Sequence, residues 1–261
     1  MDFKSFREAV GKITTTCLTG SFVYEDLSNI AGLVDFTDGT EGTVSEDPKF
    51  TKIAFSLKEK GALISLSNTL ITMTDNDLVS YIVDYFAKKA VITENTMAIT
   101  ALKSNKTVKT LADYAALKAS INTDLDPASL YGTVIVTNQD GFNLLDSQLD
   151  GNGRPILQPD PTIPTVKRFM GYEVKVYSNS QLPSTAATVT KDGYAPIFYG
   201  NLTEGVKFVD GPGISFATST EAGFTKNVTI ARIIEFVDVV QCDKSDKCYI
   251  YGQLKVADKT A

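Results

Sequence analysis

The sequence predicts an α+β fold built from unusually long elements. Apolar positions at helical spacing run from Leu78 through Ile82, Phe86 and Ala90 to about Leu102, one apolar parity runs from Val228 to Val240, and the last third of the chain reads as β. At 1.5 Å per residue the helix spans ~40 Å, and thirteen residues of strand at ~3.3 Å each span about the same. A long helix on long antiparallel strands makes a plate with a large perimeter, a shape suited to a subunit with many neighbours.

Taken in order, Phe3, Phe6, Val10 and Ile13 share a helical face, so the N-terminal segment is expected to be a short amphipathic arm. Asp35 to Pro48 is polar and turn-rich, and Ile53, Phe55 and Leu57, then Ala62, Ile64 and Leu66, alternate with polar or small residues. This stretch reads as a long, charged β excursion. Thr74-Asp75-Asn76-Asp77 offers a cap for the long helix. A second helix is expected from about Leu111 to Ile121, a buried strand over Thr133 to Thr137, and a helix from Phe142 to Leu149. Pro155 to Pro164 holds four of the nine prolines and is expected to be irregular surface loop. Glu173 to Tyr177 and Ala195 to Leu202 read as strands on either side of a polar loop over Ser184 to Gly193. Arg232 and Asp238 interrupt the final parity series of Val228, Ile230, Ile234, Phe236 and Val240.

Composition excludes several functions. The 261 residues carry 25 Lys and Arg against 31 Asp and Glu, a net charge of −6, and present no basic stripe for a phosphate backbone. The chain has no histidine, which removes His-based triads, imidazole metal sites and the usual base near neutral pH. The acidic residues among Met1 to Glu8 do not fit a secretory leader, and no apolar run approaches the ~18 residues of a membrane span. These features predict a protein made in the cytoplasm, with no cofactor and no membrane partner. Cys17, Cys242 and Cys248 are expected to be reduced, the last two as small apolar residues beside the charged turn Asp243 to Lys247. Asp150-Gly151-Asn152-Gly153 could be read as part of a calcium loop. That register puts Gln148 and Pro159 where an Asp and a bidentate Glu are needed, so a tight turn is expected.

Several strings, in order, resemble the major capsid proteins of tailed bacteriophages, the Hong Kong 97 fold. Ile64 to Leu70 with Asp75 to Leu78 and Glu94-Asn95 is similar to the approach to that family's spine helix. Ile135 to Asn138, Leu149 to Ile156 and Met170 to Val174 are similar to its apical signature, although Glu173 stands where the family usually has proline. Leu182-Pro183, Ile197 to Leu202 and Phe224 to Asn227 complete the series. The resemblance implies an N-arm over 1–34, an extended loop over 35–66, a peripheral domain over 67–124 and 203–261, and an axial domain over 125–202. It implies a structural, non-enzymatic subunit forming pentamers and hexamers of an icosahedral head around double-stranded DNA. The expected partners are itself, portal and scaffold proteins, and a decoration protein, with non-specific proximity to packaged DNA. The expected place is the virion.

Some members of that family weld subunits by joining a lysine of the extended loop to a neighbour's asparagine. Lys49, Lys52, Lys58 and Lys60 are the lysines of that loop and its expected contacts with neighbours. Gly223 stands at the acceptor position, so no cross-link is expected. Two other readings stay open: an encapsulin-like nanocompartment, marked by a groove for a cargo peptide, and a β-rich secreted binding protein or hydrolase, for which the sequence offers no nucleophile–base pair.

Overall fold

The structure, a computed structural model, describes residues 3–25, 50–69 and 77–259. The polar stretch from Asp35 to Pro48, Lys49, and the capping residues Thr74 to Asn76 lie outside the described residues.

Two sheets and a ribbon carry the fold. The first sheet is organised on β13 (Val228–Gln241), a strand of fourteen residues. One of its edges pairs with β4 (Lys58–Ser67) through ten residues, and the other pairs in succession with β12 (Ser215–Ser219) and β11 (Val206–Asp210). β1 (Gly11–Thr14) closes this sheet by pairing parallel with β11. The second sheet has seven strands in the order β5 (Lys109–Leu111), β14 (Tyr249–Ala257), β10 (Gly193–Gly200), β6 (Val134–Asn138), β9 (Tyr172–Tyr177), β8 (Lys167–Phe169) and β7 (Gln158–Pro159). The ribbon is β2 (Thr19–Glu25) against β3 (Phe50–Ser56). The helices are α1 (Asp77–Lys103), α2 (Tyr114–Thr123), α3 (Gln139–Ser147) and the single turn α4 (Leu202–Gly205).

The long helix forms as its periodicity predicts and holds 27 residues, ~40 Å at 1.5 Å per residue. Ile82 and Phe86 pack with Ala231 and with Ala62, Ile64, Leu66 and Ile233, while Ala98, Ile99 and Leu102 enter the main core with Phe208, Val237 and Tyr249. Thr93, Thr96 and Thr100 turn their hydroxyls back to carbonyls four residues earlier, which satisfies them on the outer face. Asn105, in the left-handed region at φ 51°, ends the run.

Five expectations need correction. The N-terminal segment is not an amphipathic helix: a 3-10 turn over Phe6–Glu8 gives way to β1, because the edge of β11 offers backbone partners from Gly11 onward. Leu111 does not begin a helix but ends β5, and α2 starts at Tyr114, where the Asp113 carboxylate accepts the Ala116 amide at 2.8 Å. The charged β stretch does not stand clear of the body throughout, since β4 lies along β13. The proline-rich loop from Pro155 is pinned as well as irregular. Asp160 accepts the amides of Thr162 and Ile163 and an ion pair from Arg168, and β7 pairs with β8.

The fifth correction concerns β13. The residues facing α1 are Ala231, Ile233 and Val237, the parity opposite to the apolar series seen in the sequence. Phe236 and Val240, from that series, pack on the other face with Val209 and with Phe22, Tyr24, Ile53, Phe55 and Leu57 of the ribbon region. β13 is therefore covered on both faces toward its C-terminal half, and its parity carries two cores.

Phe6 is wholly buried in the core that joins the two sheets and stacks on Tyr177 at 4.0 Å between ring centroids. Truncating a buried aromatic ring to alanine costs about 3–5 kcal/mol. Phe6→Ala is expected to lower the melting temperature of the unassembled chain by about 10 °C, measured by circular dichroism. A shift below about 2 °C would mean that the N-terminal segment does not hold the two sheets together.

Candidate assembly surfaces

The N-terminal segment is locked to α1 by polar groups set into an otherwise apolar helix face. The Phe6 amide donates to Asn95 Oδ1 at 2.9 Å, and Asn95 Nδ2 donates to the Lys4 carbonyl at 2.9 Å and to Gln181 Oε1 at 3.1 Å. Arg7 grips Glu94 with two nitrogens, Nε to Oε2 at 2.7 Å and Nη2 to Oε1 at 2.5 Å, and reaches Asp210 on β11 with Nη1 at 2.8 Å. Such forked pairs fix orientation as well as charge. Tyr177 and Lys175 of the second sheet donate to the carbonyls of Ser5 and Glu8. Residues 4 to 8 thus touch the helix and both sheets.

Between the two apolar footholds of α1 lies a polar gap. Glu235 reaches it from β13, beside a groove lined by Lys60, Lys89 and Thr93 together with Phe86 and Ile233, and an open pocket of about 310 Å³ lined by Arg7, Glu94 and Asp210 together with Ile214 and Phe236. Burial, then repulsion from the Glu94 carboxylate, holds the Glu235 carboxyl above its ordinary range, with Asp210 adding to the rise and Arg7 and Lys60 opposing it.

The lysines singled out in the sequence fall in different places. Lys49 is outside the described residues. Lys52 is exposed on β3 of the ribbon, and Lys58 and Lys60 lie on β4 opposite Val237 and Glu235. Gly223 packs at the other end of β13, beneath Val228, which lies about 23 Å from the level of Lys60 and about 30 Å from that of Lys58 at ~3.3 Å per residue. A Cβ on Gly223 would stand 2.0 Å from the Val228 carbonyl oxygen, so this turn has no room for a side chain. The turn closes on Asn227 at φ 51°, whose Oδ1 accepts Asn68 Nδ2 at 3.0 Å. Two strings far apart in sequence, those around Asn68 and Phe224 to Asn227, meet here.

The remaining sites of interest are structural. Asp150 Oδ1 accepts the amides of Asn152 and Arg154 at 2.8 Å each, the tight turn expected from the sequence. Cys242 and Cys248 are buried free thiols, which burial pushes up to about 11 and about 12. Asp243 is buried and holds the wholly buried Lys106 ammonium at 3.0 Å, and Lys106 also donates to the Ser245 and Tyr249 carbonyls. Among the described residues, no cluster of acids and thiols suits a metal ion and no helix is long and apolar enough to cross a membrane. The Arg7 and Lys106 networks were not picked out from the sequence. A carboxylate at position 94, within the i+4 series that runs from Ile82, Phe86 and Ala90 to Ala98, was the available signal.

Because Glu235 holds its proton to higher pH in the folded chain than in the unfolded one, its charge costs stability at neutral pH. That cost is relieved as pH falls through the raised value and is fully gone below the ordinary value of 4.5. Glu235→Gln is expected to raise the melting temperature at pH 7 by about 2 °C and to leave it little changed at pH 4. An equal effect at both pH values would rule out this origin.

Comparison with known proteins agrees with this architecture. The model of the phage capsid family matches residues 7–245. No curated protein matches. Among solved structures, the capsid of the native GTA particle is 17% identical with a TM-score of 0.72, covering 97% of this chain and 90% of that one. The mature capsid of bacteriophage PhiM1 is 12% identical with a TM-score of 0.63 over 97% and 88% of the two chains. A structure from Mycobacterium phage Cain is 10% identical with a TM-score of 0.68 over 100% and 93%. The long helix, the long-stranded sheet and the seven-stranded sheet form the Hong Kong 97-type fold. With this fold and a family match over most of its length, the chain belongs to the phage capsid family and is a structural protein of the phage head.

Proposed function

We propose that copies of this chain form pentamers and hexamers that close into an icosahedral head around double-stranded DNA, and that the chain has no catalytic role. The observation that carries the reading is the family match over residues 7–245 on a body of long elements whose open edges and half-covered faces suit contact with several neighbours. In this reading residues 1–34 are the N-arm and 35–66 the extended loop. Residues 67–124 with 203–261 form the peripheral domain, and 125–202 form the axial domain at the capsomer centre. Portal, scaffold and decoration proteins are its partners during and after assembly.

Lys49, Lys52, Lys58 and Lys60 serve as loop contacts with neighbouring copies, and their charges also keep strand edges from indiscriminate pairing. The Gly223 turn supplies no amide electrophile, so the shell is held without isopeptide bonds. A net charge of −6 per copy makes neighbours repel at distances that salt screens, so assembly strengthens as ionic strength rises.

Negative-stain microscopy with light scattering of the purified chain, alone and with scaffold and portal, tests this across a salt series. Rings, sheets or closed shells are expected, more abundant at higher salt, and mature particles are expected to run as monomers on denaturing gels. A monomer that persists with scaffold and portal present would sink the shell reading. A covalent ladder would overturn the absence of cross-links, and a co-purifying enzyme in place of nuclease-protected DNA would indicate a nanocompartment.

A further inference from the structure

In the first sheet the outer edges of β1, β4 and β12 meet no further strand among the described residues, and those of β4 and β12 differ in charge where they begin. The outer edge of β4 begins Lys58-Glu59-Lys60, charged guarding that keeps an edge from pairing at random, and runs uncharged from Gly61 to Ser67. The outer edge of β12 has no such guard. All five of its residues are exposed, its one paired strand is β13, and the run from Gly211 to Thr220 contains no charged residue in a chain that is 21% charged. The strand is nonetheless held in place, since the ring of Phe216 meets that of Phe86 edge to face at 6.4 Å. An ordered, neutral, exposed edge on a protein that must remain soluble before assembly is a liability unless something covers it.

The sequence of β12, Ser215-Phe216-Ala217-Thr218-Ser219, says what fits. Laid antiparallel against a second copy about a two-fold axis at Ala217, Ser215 faces Ser219, Phe216 faces Thr218 and Ala217 faces itself. Small residues meet on one side of the pair and Phe with Thr on the other. In a two-fold contact the residue on the axis meets its own copy and the others meet in reciprocal pairs, so a charge on the axis would face a like charge, and this strand has none. An icosahedral head necessarily contains two-fold axes between its capsomers.

We propose that β12 is a strand-pairing interface between two copies of this chain, joining their first sheets antiparallel across a two-fold axis centred on Ala217. This rests on the shell reading. The pairing uses backbone hydrogen bonds with no ion pair, so it is insensitive to the salt that screens the repulsion between copies.

The test is cysteine pairing in assembled particles on a Cys17→Ser background, which removes the exposed thiol and leaves the two buried ones. Opposed residues of an antiparallel pair have Cα atoms about 4.5 or 5.5 Å apart, within the roughly 4.4–6.8 Å that a disulfide spans. Ala217→Cys shells treated with diamide are expected to give a dimer band on non-reducing gels and nothing larger, because each β12 has one open edge. Ser215→Cys alone and Ser219→Cys alone are expected to give none, since each residue lies four positions from its own copy, ~13 Å along the strand. The double variant Ser215→Cys/Ser219→Cys is expected to give the dimer again, and it reads the same pairing if Ala217→Cys fails to assemble. Intact shells with no dimer in either variant, or equal dimer from all four, would overturn the pairing and leave the shell reading standing. Failure of the Cys17→Ser parent and of the unaltered chain to form particles would count against the shell itself.

Discussion

Everything in the first sheet hangs on the backbone of β13. Over fourteen residues its amides and carbonyls serve β4 on one side and β12 then β11 on the other, while its two faces pack on α1 and on the ribbon region. A strand with both edges and much of both faces engaged has little freedom of register, because a slip of one residue would exchange its two faces. That constraint fixes where the long helix lies and where β1 must join.

On this base the helix is attached at two apolar sites with a polar stretch between them. Phe86 and its neighbours hold one end, and Ala98 to Leu102 hold the other within the core shared with the second sheet. In the interval, Arg7 serves Glu94 and Asp210 together, while Glu235 adds a third carboxylate beside a cavity. The forked Arg7–Glu94 pair and the Asn95 hydrogen bonds tie this stretch of the helix to the N-terminal segment. The helix is accordingly held by apolar packing on either side of a stretch held by polar bonds.

Much of this was legible in the sequence, where period and length were strong. The long helix, β13, β6, α3 and β9 are elements whose apolar spacing alone identifies them, and the ordered strings from Ile64 to Asn227 identify the family. What was not legible depends on partners distant in sequence. Phe6 and Val10 fit a helix until the edge of β11 offers a strand. Leu111 continues an apolar period until β14 takes it. The parity of β13 reads as one face because nothing local reveals that the opposite parity meets the helix. Of the residues proposed for assembly, the lysines of the loop were singled out through the family resemblance, as possible cross-link donors. The sequence had no means of marking β12, whose significance lies in an absence of charge on an edge that only the sheet order reveals.

The two buried thiols bear on the chemistry of the particle after release. Cys242 and Cys248 lie under the turn that Asp243 and Lys106 hold shut, and as protonated thiols they are poor nucleophiles. Of the three cysteines, the one open to thiol chemistry on the particle is therefore Cys17, next to β2. Thiol oxidation should begin there, at the margin of the ribbon, and spare the two buried cysteines.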